Sequence, residues 1–114
     1  MKTVDIKGKP YVMVTERIKH FRTDAEYEGY SLITEIIELS EKGVVMKATI
    51  SNKEGVAVAT GIAWEKHDST FINKTSFIEN CETSAWGRAL GNLGIGIDAS
   101  MASAEEVVTA IKNQ

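Results

Sequence analysis

Between Ser76 and Gly96 the chain reads SFIENCETSAWGRALGNLGIG, a run with helical spacing that keeps very small residues along one line. At about 100° per residue, Asn80, Ser84, Gly87 and Gly91 align on one face and Arg88 lies beside them. Gly87 and Gly91 each cost a helix interior about 1 kcal/mol relative to alanine, so a chain that keeps both gains something from close approach. What approaches is another backbone, either a protein segment or a nucleic-acid phosphate chain. Choosing between them is the functional question.

The same run carries its own start and stop. Ser76 with Glu79 three residues on makes a capping box, and Phe77 or Ile78 begins the apolar stripe of Ile78, Cys81, Ala85, Ala89 and Leu93, widened by Trp86 and Leu90. That stripe is broader than one sheet contact needs, which leaves part of it for another subunit. Gly94 is placed to close the helix in a left-handed conformation. A second capping box, Ser103 with Glu106, opens a short terminal helix through Ile111.

Upstream, Val14, Ile18 and Phe21 recur at helical spacing and predict an amphipathic helix over Val12–Thr23, with Glu16, Arg17, Lys19, His20 and Arg22 largely on its other sides. Before it lies a short polar arm, set off by the only proline, Pro10. Three segments then alternate in the strand manner, Tyr30–Ser40, Val44–Asn52 and Val56–His67, separated by the turn-like Glu41–Gly43 and Lys53–Gly55. They predict an antiparallel meander. In the third strand Val56, Val58, Ile62 and Trp64 share one face, and Ala57, Ala59, Gly61 and Ala63 share the other. The second face is nearly smooth, so a helix or a neighbouring subunit is expected against it. The fold class is therefore α+β, a three-stranded meander packed on a long helix, with an amphipathic helix before and a short helix after.

With 114 residues, 43% hydrophobic and 25% charged, residues 1–114 read as a single globular domain. No apolar run is long enough for a membrane span, and MKTVDIKGK lacks the apolar core of a secretory signal, so a cytoplasmic location and no membrane partner are expected. Cys81, the one cysteine, sits on the apolar helix stripe and reads as buried packing. A formal net charge of -3 argues against coating nucleic acid by bulk charge, though a local basic strip can coexist with an acidic exterior. Gly94, Gly96 and Ala99 match a dinucleotide-loop pattern but follow a helix instead of a strand, which removes its context. His20, His67 and Cys81 lack metal-ligand spacing, and no nucleophile with a base partner is visible, so no enzyme activity, cofactor or metal is expected.

The run CETSAWGRALGNLGIG resembles the helix of phage single-strand annealing proteins of the RAD fifty-two, Sak and Erf type, where the pattern ETxAxGRAL occurs. YVMVTERIKHFR, EGYSLITEIIEL, VVMKATI and VAVATGIAWE resemble, in order, the preceding helix and strands, so the likeness covers roughly Tyr11 to Ala110. It rests most on Glu82, Thr83 and Arg88. The resemblance implies a β-β-β-α core that assembles into homo-oligomeric rings or filaments, binds single-stranded DNA and anneals complementary strands without ATP. It further implies a role in recombination and repair in a bacterial host cell, with a phage exonuclease or a host single-strand-binding protein as partners. In the better-known members a lysine precedes the arginine and another arginine follows three positions later; here those positions hold Gly87 and Gly91, so Arg88 alone carries over.

Other cations must then line the path, since each phosphate neutralised by Lys or Arg contributes roughly -0.7 to the log salt slope for single strands. Lys74 stands just before the capping box, where free N–H groups and the positive helix end favour an anion and Thr75 or Ser76 can donate hydroxyl bonds. Lys74 and Arg88 rank first, followed by Lys47 and Lys66 on the strands and Arg17 on the first helix. Trp64 is either a base-stacking platform or a core residue. The competing function is a protein assembly module without nucleic-acid binding, in which Arg88 pairs with Glu82 or another carboxylate inside the fold.

Overall fold

The three alternating segments form one antiparallel sheet in the order β3 (Ser31–Ser40), β4 (Gly43–Ser51), β5 (Ala57–Lys66). This computed structural model describes residues 1–67, 71–98 and 100–112, with the side chains of 71–75 left aside. On β4 the alternation is strict: Val44, Met46, Ala48 and Ile50 are buried, and the residues between them face the other way. Two bulges interrupt the ladder, one between Ile36 and Glu38, the other where β4 steps from Ile50 to Ser51. The second bulge changes the phase of β5. Ala59 pairs with Ile50 and faces the core, whereas Ala57, expected on the same smooth face, pairs with Ser51 and is exposed.

Helix α2 (Phe71–Leu93) covers the inner face of β4 and β5, whereas Ile36 and Leu39, on the same face at the far end of β3, stay exposed. Its backbone breaks at Ser76 (φ -144°, ψ 24°), so the expected capping-box start is instead a kink, with helix continuing upstream to Phe71. Past the kink, Cys81, Ala85, Ala89 and Leu90 join Val44, Met46, Ala48, Ile50 and Phe21 in the core. The C-terminus closes as the sequence predicts: Gly94 has φ +105°, its N–H donates to the Gly91 carbonyl, and the Ile95 N–H donates to that of Leu90. That pair of bonds is a Schellman closure.

Before the sheet, Thr3–Ile6 (β1) and Lys9–Val12 (β2) pair as a hairpin, which corrects the expected polar arm. Lys7 and Gly8 both take positive φ, the two-residue turn whose twist suits a hairpin, and the Asp5 carboxylate accepts the Gly8 N–H. Helix α1 (Val14–Thr23) follows, then a single 3-10 turn over Ala25–Tyr27. Helix α3 (Ala104–Lys112) opens with the predicted reciprocal box: the Ser103 N–H donates to Glu106 Oε2 at 2.8 Å, and the Glu106 N–H donates to Ser103 Oγ at 3.3 Å. Its neighbour Glu105 reaches across and accepts the Val14 N–H at 2.9 Å, capping α1 from outside.

The helices lie on one side of the sheet. Val45, Lys47 and Thr49 on β4 pair in register with Trp64, Ile62 and Thr60 on β5, and this outer face carries Ile33, Ile62 and Trp64 at 57 to 58% exposure. The molecule is only 17 Å in its thinnest dimension, the depth of one sheet and one helical layer.

Candidate nucleic-acid interface

The small-residue line on α2 is not a bare surface. A Cβ on Gly87 would stand 2.9 Å from Val14 Cγ2 and 3.0 Å from Ser103 Oγ, and one on Gly91 would stand 2.7 Å from Arg17 Nη1. Across the helix, a Cβ on Gly61 of β5 would meet the Ala89 nitrogen and Ala85 carbonyl. The glycines therefore admit the domain's own α1, the 94–103 connection and the sheet, which resolves the opening question for this line in favour of protein backbone.

Arg17, expected among the nucleic-acid contacts, is corrected by its burial. It is 0% exposed, and its guanidinium donates to the carbonyls of Gly87 at 2.7 Å, Gly96 at 3.2 Å, Ser100 at 3.2 Å and Met101 at 3.1 Å. Burial lowers its pKa from the ordinary value, opposed by Glu106 and Glu105, and Arg remains charged throughout the working range. The signal was present in the spacing: Arg17 lies three residues after Val14 and four before Phe21, on the buried stripe of α1.

Arg88 is exposed on α2 but engaged. Its Nη1 lies 3.4 Å from Glu106 Oε1, so the carboxylate that caps α3 also pairs with this arginine. The sequence offered Glu82 or another carboxylate as the partner of Arg88, and Glu106 is that other carboxylate. Trp64, Ser84, Arg88, Glu106 and Thr109 line a shallow groove along the β5 edge. Lys47 sits mid-sheet on the outer face, opposite Glu35 on one side and Ile62 on the other. Lys66 lies at the end of β5 with its ammonium 5.6 Å from the Trp64 ring centre. Trp64, weighed as core, is on the open face.

The side chains of Lys74 and Thr75 lie outside the described residues, although the backbone there is helical. Their place in the fold is nonetheless defined. Phe77, one turn on, packs at a tilt against His67 with ring centres 4.7 Å apart. The His67 N–H donates to the Lys42 carbonyl at 3.0 Å, and Lys66 pairs with Gly43. Lys42 on the β3–β4 turn, Lys66 and His67 at the end of β5, and the first turns of α2 thus meet at one end of the sheet. Lys42 and this convergence were missed from sequence; the short Glu41–Gly43 turn carried the signal, because a tight hairpin sets its tip against the end of the next strand. At the opposite end, a concavity between the 3-10 turn and the β4–β5 turn is lined by Glu26, Glu28 and Glu54 with Lys53. The ends differ in sign, though Glu41 dilutes the basic one.

Cys81 is buried, its Sγ 3.4 Å from the Ala63 carbonyl, and desolvation raises its pKa to about 11, so the thiol is packing as read from sequence. Among the described residues, no cluster of three His, Cys, Asp or Glu side chains is arranged to hold a metal. No helix among them is long and apolar enough to cross a membrane.

Residues 18–93 match the model of the Slr1353 N-terminal dsRNA-binding domain-like family, a span from mid-α1 through β3, β4, β5 and all of α2. No curated protein and no solved structure matches the chain. The match overturns the resemblance to single-strand annealing proteins, because Glu82, Thr83 and Arg88, on which it rested, lie within the span that another family accounts for. The recombination role, the phage setting and the ring lose their support with it. The motif is explained by packing: Ala85 and Ala89 seat α2 on the sheet, and Gly87 admits Val14.

Proposed function

We propose, because this chain belongs to the Slr1353 N-terminal dsRNA-binding domain-like family, that it binds double-stranded RNA as a module with no catalysis of its own. The family match carries the reading, since it spans the whole sheet and α2. Duplex RNA is recognised by shape, through phosphates and 2′-hydroxyls, because its major groove is too deep and narrow for side chains. Such recognition needs a few cations on a rigid frame more than a high net charge. The end of the sheet where Lys42, Lys66 and the backbone of the Lys74 turn of α2 converge supports that reading, and the opposite end, lined by Glu26, Glu28 and Glu54, suits phosphate less.

The test is fluorescence anisotropy with a labelled RNA duplex of about 16 base pairs or longer, beside the same sequence as DNA duplex and as single strands, across salt concentrations. The RNA duplex is expected to bind most tightly and to weaken as salt rises. Lys42→Ala, Lys66→Ala and Lys74→Ala are each expected to lower the log–log salt slope by roughly one. Preference for a single strand, or no binding to the RNA duplex at low salt, overturns the reading.

A further inference from the structure

The place beside Arg88 and above the glycine line, where the sequence left room for a phosphate chain, is filled by a carboxylate of the chain itself. Glu106 Oε1 lies 3.4 Å from Arg88 Nη1, and a Cβ on Gly87 would stand 3.3 Å from Glu106 Oε2. Carboxylate and phosphate oxygens satisfy a guanidinium in the same way, so they compete for this arginine. We infer that Glu106 is an internal competitor for phosphate, which holds Arg88 and the β5 edge groove closed to duplex RNA until its charge is neutralised or displaced. The inference rests on the RNA-binding reading and adds a control to it.

The pair is unequal in a way that suits such a control. The Arg88 side chain is 58% exposed and that of Glu106 only 9%, so the acid is the seated member and the arginine the one a ligand can reach. The two oxygens of Glu106 also have separate tasks. Oε2 accepts the Ser103 N–H at 2.8 Å, so the carboxylate is held in place whether or not Arg88 is paired, and a phosphate that approaches Arg88 meets its charge. The groove continues the basic end of the sheet, because Trp64 lines it together with Arg88, and the Lys66 ammonium lies 5.6 Å from the Trp64 ring centre. A freed Arg88 therefore extends the cationic track from Lys66 along β5. Glu65 also borders the groove, from the buried side of β5. The family match covers residues 18–93, and α3, which carries Glu106, lies beyond it.

Anisotropy titration of the whole chain with duplex RNA across salt concentrations tests it, beside three variants. Glu106→Gln removes the charge but keeps an oxygen for the Ser103 N–H, since glutamine serves a capping box as glutamate does, and its circular dichroism spectrum should be unchanged. It is expected to bind about threefold or more tightly than the parent chain at low salt and to steepen the log–log salt slope by about one. Adding Arg88→Ala should abolish both gains. Glu105→Gln removes an equal charge from the same turn and can still accept the Val14 N–H, so its slope should match that of the parent. A parent-like Glu106→Gln, gains that survive Arg88→Ala, or an equal steepening in Glu105→Gln overturns the inference, and the RNA reading stands if the parent chain still binds the duplex. RNA duplex bound by neither the parent nor Glu106→Gln overturns both.

Discussion

The glycine line of α2 and the outer face of β5 invert the usual relation between side-chain size and exposure. Gly61, Gly87 and Gly91, the smallest residues available, mark close backbone contacts, where a single added carbon would fall within 3 Å of a neighbour. Ile62 and Trp64, among the largest, lie largely open on the strand that carries Gly61. Small residues let backbones touch, while these large ones sit on a sheet face that the described helices leave uncovered. Reading size alone as burial assigns both regions the wrong way round.

Arg17→Met gives the largest expected effect, because Arg17 is the clasp that keeps the glycine line covered. Four carbonyls, from Gly87, Gly96, Ser100 and Met101, lose their donor at once, and methionine supplies none. A loss of about 3 kcal/mol in urea unfolding is expected. A loss within about 0.5 kcal/mol, the range of an ordinary surface change, would show the cover to be loose and the comparison overstated.

Gly87→Ala sharpens the contrast by its sign. On an open helix face the change stabilises by about 1 kcal/mol. Here the new carbon meets Val14 Cγ2 at 2.9 Å and Ser103 Oγ at 3.0 Å, so α1 and the α3 cap must shift. Net destabilisation of about 1 kcal/mol is expected from chemical denaturation. A stabilised variant would mean that the line is open after all.

Much of the fold was legible because it follows period and punctuation. The strand ends fell within about a residue of Ser31–Ser40, Gly43–Ser51 and Ala57–Lys66, and Gly94 and the Ser103–Glu106 box closed and opened helices where expected. What escaped was tertiary. Pro10 concealed an edge strand, its partner Asp5 only five residues away, the Val58 bulge reversed the face of Ala57, and nothing local says that Glu105 caps a helix starting ninety-one residues earlier. The candidate site fared worse than the fold. Charge type on a helix does not tell a clasp such as Arg17 from a contact, and only the assembled sheet brings Lys42 to the side of Lys66 and His67.

Arg88→Ala gives the smallest expected effect and bears on the residue that joins the two regions, since Arg88 stands on the glycine helix and lines the groove at the β5 edge. Its guanidinium is more than half exposed, and an ion pair in that setting contributes about 0 to 1 kcal/mol. Glu106 keeps its bond to the Ser103 N–H when the arginine is gone, so α3 stays capped and a stability change under about 0.5 kcal/mol is expected. Because Glu106 already answers its charge, and because it lies away from the basic end of the sheet, removing it should leave the salt slope of RNA binding unchanged, whereas Lys66→Ala lowers that slope by roughly one. Should Arg88→Ala lower the slope as much as Lys66→Ala, the phosphate track runs along the β5 edge groove, and the boundary between covered helix and open sheet becomes the binding surface.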